Sequence, residues 1–227
     1  MIGFLAAVGM LAICLILLPA SGWWFAMRLS GGSLLRFTAA CLAGVTALAV
    51  AELLVYVLRA PQWGAVAIVA IVCAVGARDL VATVRRGEFA WDALLTWGGA
   101  SAILIAATIP YGTHGTPGAL WDWYEHWLRS LIFLQQGPVT TRIGIYILPA
   151  RGPLFNAAAA VLLYLAGSAH YWVFQIAATT FNLLACLRSC WRASVDYGGG
   201  GRCWLPRWWW WGRRSSSGTT LSPGPRT

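Results

Sequence analysis

Long apolar runs dominate the first 110 residues of the chain and predict membrane-spanning helices. The first run, residues 2–20, contains no charged residue. It has the length of about 20 residues that a helix needs to cross a bilayer. Three further runs follow, and Pro61 and Gly64 mark a sharp turn between the second and third spans. We predict the first four spans at residues 2–20, 34–58, 61–77 and 89–110.

Residues 111–152 interrupt this pattern with charged residues, histidines, glycines and prolines, which predicts a long loop. Loops longer than about 12–15 residues are usually functional or disordered. The aromatic centre of this one, residues 119–134 (ALWDWYEHWLRSLIFL), argues against disorder. We predict a short helix there that lies at the membrane surface.

Residues 153–187 contain no Asp, Glu, Lys or Arg. One straight helix of that length would exceed the hydrocarbon core, which is roughly 30 Å thick. The stretch from Gly167 to His170 is the expected break, and it predicts two helices, 153–167 and 170–187, in a tight hairpin. The predicted fold is therefore all-α, a polytopic membrane protein with about six transmembrane helices and an external loop that carries a short interfacial helix.

Composition supports a membrane protein and argues against a soluble one. Hydrophobic residues make up 59% of the chain and charged residues only 10%, whereas soluble domains carry about 25% charged residues. The net charge of +9 is concentrated near the end, because residues 188–227 hold seven arginines against Asp196 alone. A basic patch can bind nucleic acid, but the apolar body argues against a nucleic-acid partner. We expect a multi-pass protein of the cell membrane, in a bacterial plasma membrane.

The arginines predict how the spans are oriented. The short segments 27–36 and 78–88 hold two and three arginines, and the turn between the second and third spans holds only Arg59. Loops rich in Lys and Arg stay on the cytoplasmic side. We therefore predict that the two basic loops are cytoplasmic, and that the N-terminus, the Arg59 turn and loop 111–152 are outside.

The last 40 residues differ from the rest in composition. They contain four consecutive tryptophans, Trp208 to Trp211, four consecutive glycines and three consecutive serines. Tryptophan has the single codon TGG, and a run of TGG read in another frame encodes glycine or valine. We interpret residues 188–227 as a disordered, low-complexity tail produced by a frameshift, so that the chain is the N-terminal part of a longer protein. The alternative is a real cationic, aromatic tail that lies on lipid or nucleic acid.

The loop helix holds the densest group of polar residues outside the tail. On a helix, Asp122, Glu125 and Arg129 share one face, and His126 lies beside them. The other face presents tryptophan, leucine and isoleucine to lipid or protein. A carboxylate placed there can act as a general base or bind a divalent ion through oxygen. The alternative is an amphipathic interfacial helix whose acids pair with Arg129.

Two other features allow simpler interpretations. Four of the six cysteines lie in apolar runs, where cysteine behaves as a small hydrophobe, and no zinc-type spacing occurs, so we predict no structural metal. Glu52 lies inside the second span, where an acid is costly and often functional. The alternatives for Glu52 are that it snorkels to the membrane surface or pairs with Arg59.

Residues 89–187 combine these elements in an order that resembles a known family. A span is followed by an external loop with the acids Asp122 and Glu125, and then by Gly152-Pro153-Leu154 at the start of the next span. This order resembles the polytopic glycosyltransferases of the C superfold, which include family 39 and the protein O-mannosyltransferases. In that family an acid or acid pair lies in the first external loop, and a Pro-Pro-Leu-like element opens the next span.

The resemblance implies an activity and roles for individual residues. It implies transfer of a sugar from a polyprenyl-phosphate donor to an acceptor at the outer face of the membrane, with Asp122 and Glu125 as the catalytic acids. Arg151 stands where it would meet the donor phosphate, and Arg129 and His126 are candidate substrate-binding residues. Cofactors stay open, with a divalent metal ion as the one candidate. This chain by itself is expected to be inactive.

A non-enzymatic membrane protein is the alternative, either a transporter subunit or an assembly factor. Transporters often contain inverted repeats and helices broken near the middle of the membrane. The sequence shows no internal repeat, and its polar cluster lies outside the predicted spans, which favours the glycosyltransferase.

Cysteine labelling tests the predicted orientation. In a background without native cysteines, Ser33→Cys should stay unlabelled by a membrane-impermeant thiol reagent in intact cells, and Thr116→Cys should react, because the arginine-rich loops stay inside. Labelling of Ser33→Cys without labelling of Thr116→Cys would show the opposite orientation.

Overall fold

A computed structural model of the chain describes residues 2–112, 121–143, 146–147 and 153–196. The chain divides into two compact units, residues 1–189 and residues 190–227. Of the second unit, only the backbone of residues 190–196 is described, and it is helical. Arg151 and most of the tail predicted at 188–227 therefore lie outside the described residues.

The described chain is almost entirely helical, as the apolar runs predict. Two short strands, in the loop predicted at 111–152, form an antiparallel pair that the sequence analysis did not predict. The helices are α1 Ile2–Ala26, α2 Ser33–Leu58, α3 Trp63–Arg85, α4 Trp91–Gly112, α5 Trp121–Leu134, α6 Pro153–Leu165 and α7 Tyr171–Asp196, and the strands are β1 Arg142–Ile143 and β2 Tyr146–Ile147.

Three helices are long and apolar enough to cross a membrane, by length and composition, among the residues searched. They are Ala7–Ala26 of α1, Ser33–Leu58 (α2) and Trp63–Arg85 (α3). The sequence analysis predicts six spans, and the other three are not confirmed among the residues searched. The apolar part of α4 is Trp91–Ala107, and α6 has only 13 residues. The structure thus supports a membrane protein with three candidate spans.

Both predicted helix breaks are present. The first separates α2 from α3, where Arg59 adopts a left-handed backbone with φ of 52° and Pro61 accepts a hydrogen bond from the amide of Gly64. The second separates α6 from α7, where Gly167 has φ of 59°, a conformation that glycine adopts without steric cost. The apolar stretch 153–187 is therefore divided between two helices, as predicted.

Glycines allow the first three helices to approach one another closely. A Cβ on Gly22 of α1 would clash with the carbonyl oxygen of Ala40 in α2, and one on Gly44 of α2 would clash with that of Leu18. Gly76 of α3 lies in the same way against the carbonyl of Ala20 in α1. Small residues at such contacts let helix backbones pack tightly within a membrane, where lipid supplies no hydrophobic drive for association.

Aromatic side chains fill the end of the bundle where α1, α2 and α4 meet. The ring of Phe89 lies 5.5 Å from Trp23 and 5.7 Å from Phe37, and Phe37 is 6.1 Å from Trp97. The indole nitrogen of Trp23 donates to the hydroxyl of Thr83 at 3.2 Å. The side chain of Trp23 is buried in this cluster.

Gly22→Ala tests the close helix contact. Overpacking in a tight contact typically costs about 1–3 kcal/mol, so we expect this variant to unfold at a lower denaturant concentration in detergent micelles. Gly9→Ala is the matched control on the same helix, because nothing lies within 4 Å of a Cβ there. It should be neutral or gain up to about 1 kcal/mol from helix propensity. Equal stability of the two variants would contradict the close contact.

Candidate functional site

Helix α5 carries four of the five predicted site residues, Asp122, Glu125, His126 and Arg129, and it packs against α6 and α2. Its polar face is turned into the protein, whereas the sequence analysis placed its acids at the membrane surface. Glu125 is 3% exposed and Arg129 is fully buried. The tryptophans of the other face are partly buried against the core. An amphipathic pattern reveals that a helix has two faces, but not which of them meets a protein partner.

Glu125 and Arg129 form a buried ion pair one helical turn apart. The guanidinium Nη2 lies 3.5 Å from the carboxylate Oε2, as in the alternative in which the acids pair with Arg129. The remaining nitrogens of Arg129, Nε and Nη1, are buried and have no hydrogen-bond partner. Unpaired donors of a buried charge are costly. The arrangement therefore presents a guanidinium that has more donors than its one carboxylate partner uses.

His126 is held by a residue of the neighbouring helix. Its Nδ1 lies 3.0 Å from Oδ1 of Asn156 in α6, so Nδ1 carries the proton that this hydrogen bond requires. In a neutral ring Nε2 is then the acceptor nitrogen. Asn156 is fully buried, and its Nδ2 has no partner. This pair sets the tautomer of His126 and leaves Nε2 as a hydrogen-bond acceptor.

Aromatic rings border the site where α5 meets the start of α7. The rings of Tyr124 and Trp127 are 5.2 Å apart, and Tyr171 lies 5.6 Å from Trp127. The indole nitrogen of Trp127 donates to the carbonyl of Ala169 at 3.0 Å, in the break before α7. Tyrosine and tryptophan with both a polar and an apolar end are typical of the membrane–water interface.

The end of α5 is docked on the turn between α2 and α3. The hydroxyl of Tyr56 donates to the carbonyl of Gly137 at 2.6 Å. Arg59 donates to the carbonyl of Gln136, whose side-chain amide donates to the carbonyl of Ala60. These bonds hold the end of α5 and the Arg59 turn at the same end of the bundle, in keeping with the prediction that both lie on one side of the membrane.

Glu52 neither snorkels nor pairs with Arg59, the two alternatives raised by its position in the sequence. It is fully buried, and its Oε1 accepts a hydrogen bond of 2.9 Å from Nε2 of Gln62. Sequence reasoning did not single out Gln62 or evaluate Asn156 as a site residue. In the sequence each is simply an amide residue near the start of an apolar helix, and this feature is too common to identify a site residue.

The structure leaves two predicted site residues undecided and does not favour a metal. The backbone of Asp122 belongs to α5, but its side chain lies outside the described residues, as does the whole of Arg151. Within the described part of the chain, no group of three His, Cys, Asp or Glu side chains converges to hold a metal ion. Glu125 faces a guanidinium, which repels a cation, so the described residues do not fit a divalent metal.

Comparison with known proteins adds no relative: no family model, no curated protein and no solved structure matches the chain.

Glu125→Gln tests the buried ion pair. Removing one partner of a buried pair leaves an uncompensated charge and typically costs about 3–5 kcal/mol. We expect that loss in the free energy of unfolding, measured in detergent micelles. Glu88→Gln is the matched control, because Glu88 pairs with Arg86 at 3.2 Å with both side chains 50% exposed, and exposed pairs contribute about 0–1 kcal/mol. A similar loss in the two variants would contradict a buried pair.

Proposed function

We propose that the chain is a multi-pass protein of a bacterial plasma membrane that binds a phosphate-bearing lipid at Arg129, as part of a glycosyltransferase of the C superfold. The three apolar helices support insertion in a membrane. The observation that carries the proposal is Arg129, a fully buried guanidinium with two nitrogens that lack partners.

A phosphate group satisfies what Arg129 lacks. Its oxygens accept hydrogen bonds from a planar guanidinium, and its negative charge suits a cation whose carboxylate partner contacts only one of its nitrogens, at 3.5 Å. A polyprenyl phosphate suits the setting further, because its chain is as apolar as the candidate spans. The aromatic rings of Tyr124 and Trp127, on the opposite face of α5 from Arg129, supply an amphipathic surface of the kind found where lipid head groups lie.

The other site residues take roles around that phosphate. Asp122, the loop acid in the family resemblance, is the proposed general base for the acceptor hydroxyl. Glu125 orients Arg129 in place of holding a metal ion. His126, with its tautomer set by Asn156, is a hydrogen-bond acceptor for substrate through Nε2. Arg151 is a second proposed contact for the donor phosphate.

Lipid binding tests the role of Arg129. The probe is a short polyprenyl monophosphate added to the full chain in detergent micelles, with binding measured by the rise in unfolding temperature. Arg129→Lys keeps the charge but loses the planar fork, and hydrogen bonds to charged groups contribute about 1.5–3 kcal/mol. We therefore expect binding to weaken roughly 10- to 100-fold. Arg142→Lys, at an exposed position in β1, should bind like the wild type.

Equal affinity in Arg129→Lys and wild type would overturn the phosphate site. Asp122→Asn separates catalysis from binding, because an amide cannot accept the proton of an acceptor hydroxyl. Introduced into the longer protein with its reading frame restored after residue 187, this variant should bind the lipid normally but lose transfer of sugar from a polyprenyl-phosphate donor by about 10²–10⁴-fold. Lipid binding with no sugar transfer by the wild-type protein in the restored frame, or sugar transfer by residues 1–227 alone, would overturn the glycosyltransferase.

A further inference from the structure

Glu52 is a buried acid that the proposed site does not use. It lies in α2, six residues before the helix ends, and its side chain is fully buried. No ion pair reaches it within the described ranges, where the pairs formed are Glu125–Arg129 and Arg86–Glu88. Arg59, at the end of the same helix, points its guanidinium at the carbonyl of Gln136. If Glu52 were charged, its carboxylate would have no counter-ion among the described residues.

Gln62 contacts Glu52 in a way that leaves one oxygen of each residue unsatisfied. Nε2 of Gln62 donates to Oε1 of Glu52 and to the carbonyl of Phe133 in α5, both at 2.9 Å. Both amide hydrogens are therefore used. Oε2 of Glu52 and Oε1 of Gln62 are both buried, and neither has a hydrogen-bond partner.

We propose that Glu52 and Gln62 form a proton-binding site, in which Glu52 is a neutral carboxylic acid and its Oε2–H donates to Oε1 of Gln62. An acid and an amide each offer one donor and one acceptor, so two hydrogen bonds can join them head to head. One proton then satisfies both unpartnered oxygens and removes the buried charge. A hard metal ion fits less well, because such ions take six or more oxygen ligands.

The helices around Glu52 supply no charge that replaces this proton. From α2 itself, Tyr56 and Arg59 are engaged with the turn after α5. From α5, Glu125 and Arg129 pair with each other, and His126 is hydrogen-bonded to Asn156. No hydrogen bond or ion pair joins Glu52 to an ionisable side chain on the other helices that pack against α2, among the described side chains. These side chains are Cys14 in α1, Cys73, Arg78, Asp79 and Arg85 in α3, and Tyr164 in α6.

The proton-binding site helps to hold the end of α5 against the turn between α2 and α3. Gln62 bridges Glu52 to the carbonyl of Phe133, and Arg59 and Gln136 bond to the backbone beside it. Arg59 and Gln136 both have φ of 52°, and they are the non-glycine residues with positive φ in the described chain. Positive φ is unfavourable for residues with a Cβ. Loss of the proton charges Glu52 and removes its O–H bond to Oε1 of Gln62, so that Oε2 of Glu52 and Oε1 of Gln62 repel each other and the contact that holds this strained turn is weakened.

The pH dependence of unfolding tests the proton. The folded protein retains a proton that the unfolded chain releases, so stability falls as pH rises. Stability stops falling at the pH where Glu52 also ionises in the folded protein. Below that pH, the unfolding constant of the wild type should rise up to tenfold per pH unit. We would measure it between about pH 5 and pH 9 in detergent micelles. Glu52→Gln replaces the O–H by an N–H donor and should lose this dependence. Glu88→Gln, on an exposed acid, should keep it.

A second measurement decides the outcome even where Glu52→Gln does not fold. The infrared spectrum of the wild type at neutral pH should contain the carbonyl band of a protonated carboxylic acid, and this band should be present in Glu88→Gln. Hydrogen exchange of the amides at 131–137, corrected for the intrinsic rate, should speed up as the band disappears at high pH. Absence of the band, or the same pH dependence in Glu52→Gln and wild type, would overturn the proposal.

Discussion

The close approach of α1 to α2 and α3 is the constraint on which the rest of the structure depends. Each contact requires a glycine opposite a backbone carbonyl: Gly22 against Ala40, Gly44 against Leu18, and Gly76 against Ala20. Because lipid is as apolar as leucine, helices in a membrane gain from close van der Waals contact more than from burial of apolar surface. With α1 and α3 held this way, α2 is central and also contacts α5 and α6.

This arrangement determines where polar groups are buried. α2 presents Glu52 and Tyr56 toward the end of α5, and α6 presents Asn156 toward His126. The buried polar groups therefore lie at the helix-helix contacts of α5. A buried ion pair is weak evidence for stability, because desolvation can exceed the attraction between the charges. The unpaired nitrogens of Arg129 and the unpaired oxygen of Glu52 are the observations from which the phosphate site and the proton site are proposed.

The two proposed sites are connected through a single helix. Arg129 lies one turn before Phe133, whose carbonyl accepts the hydrogen bond from Gln62. A change at the Glu52–Gln62 pair that moves the end of α5 would therefore also move the guanidinium. The docked turn, with its hydrogen bonds from Tyr56 and Arg59, is the element through which such a movement would pass.

The sequence by itself determined the helices, because length, hydropathy and helix-breaking residues act locally. The apolar runs predict α1 to α4, and Pro61 and Gly167 mark breaks that the structure contains. The aromatic centre of the loop predicts α5. Three of the six predicted spans are candidate spans among the residues searched, and α6, with 13 residues, is shorter than the roughly 20 that a straight span needs.

Only the tertiary structure decided what the polar residues contact. Glu52 meets Gln62 across the α2–α3 turn, and His126 meets Asn156 30 positions along the chain. Periodicity gives the face of a helix that a residue occupies but carries no information about the helix opposite. The amphipathic pattern of α5 is the same whether its polar face meets water or a buried partner, so the burial of Glu125 and Arg129 followed from how α5 packs against α2 and α6, a result of the whole chain folding together.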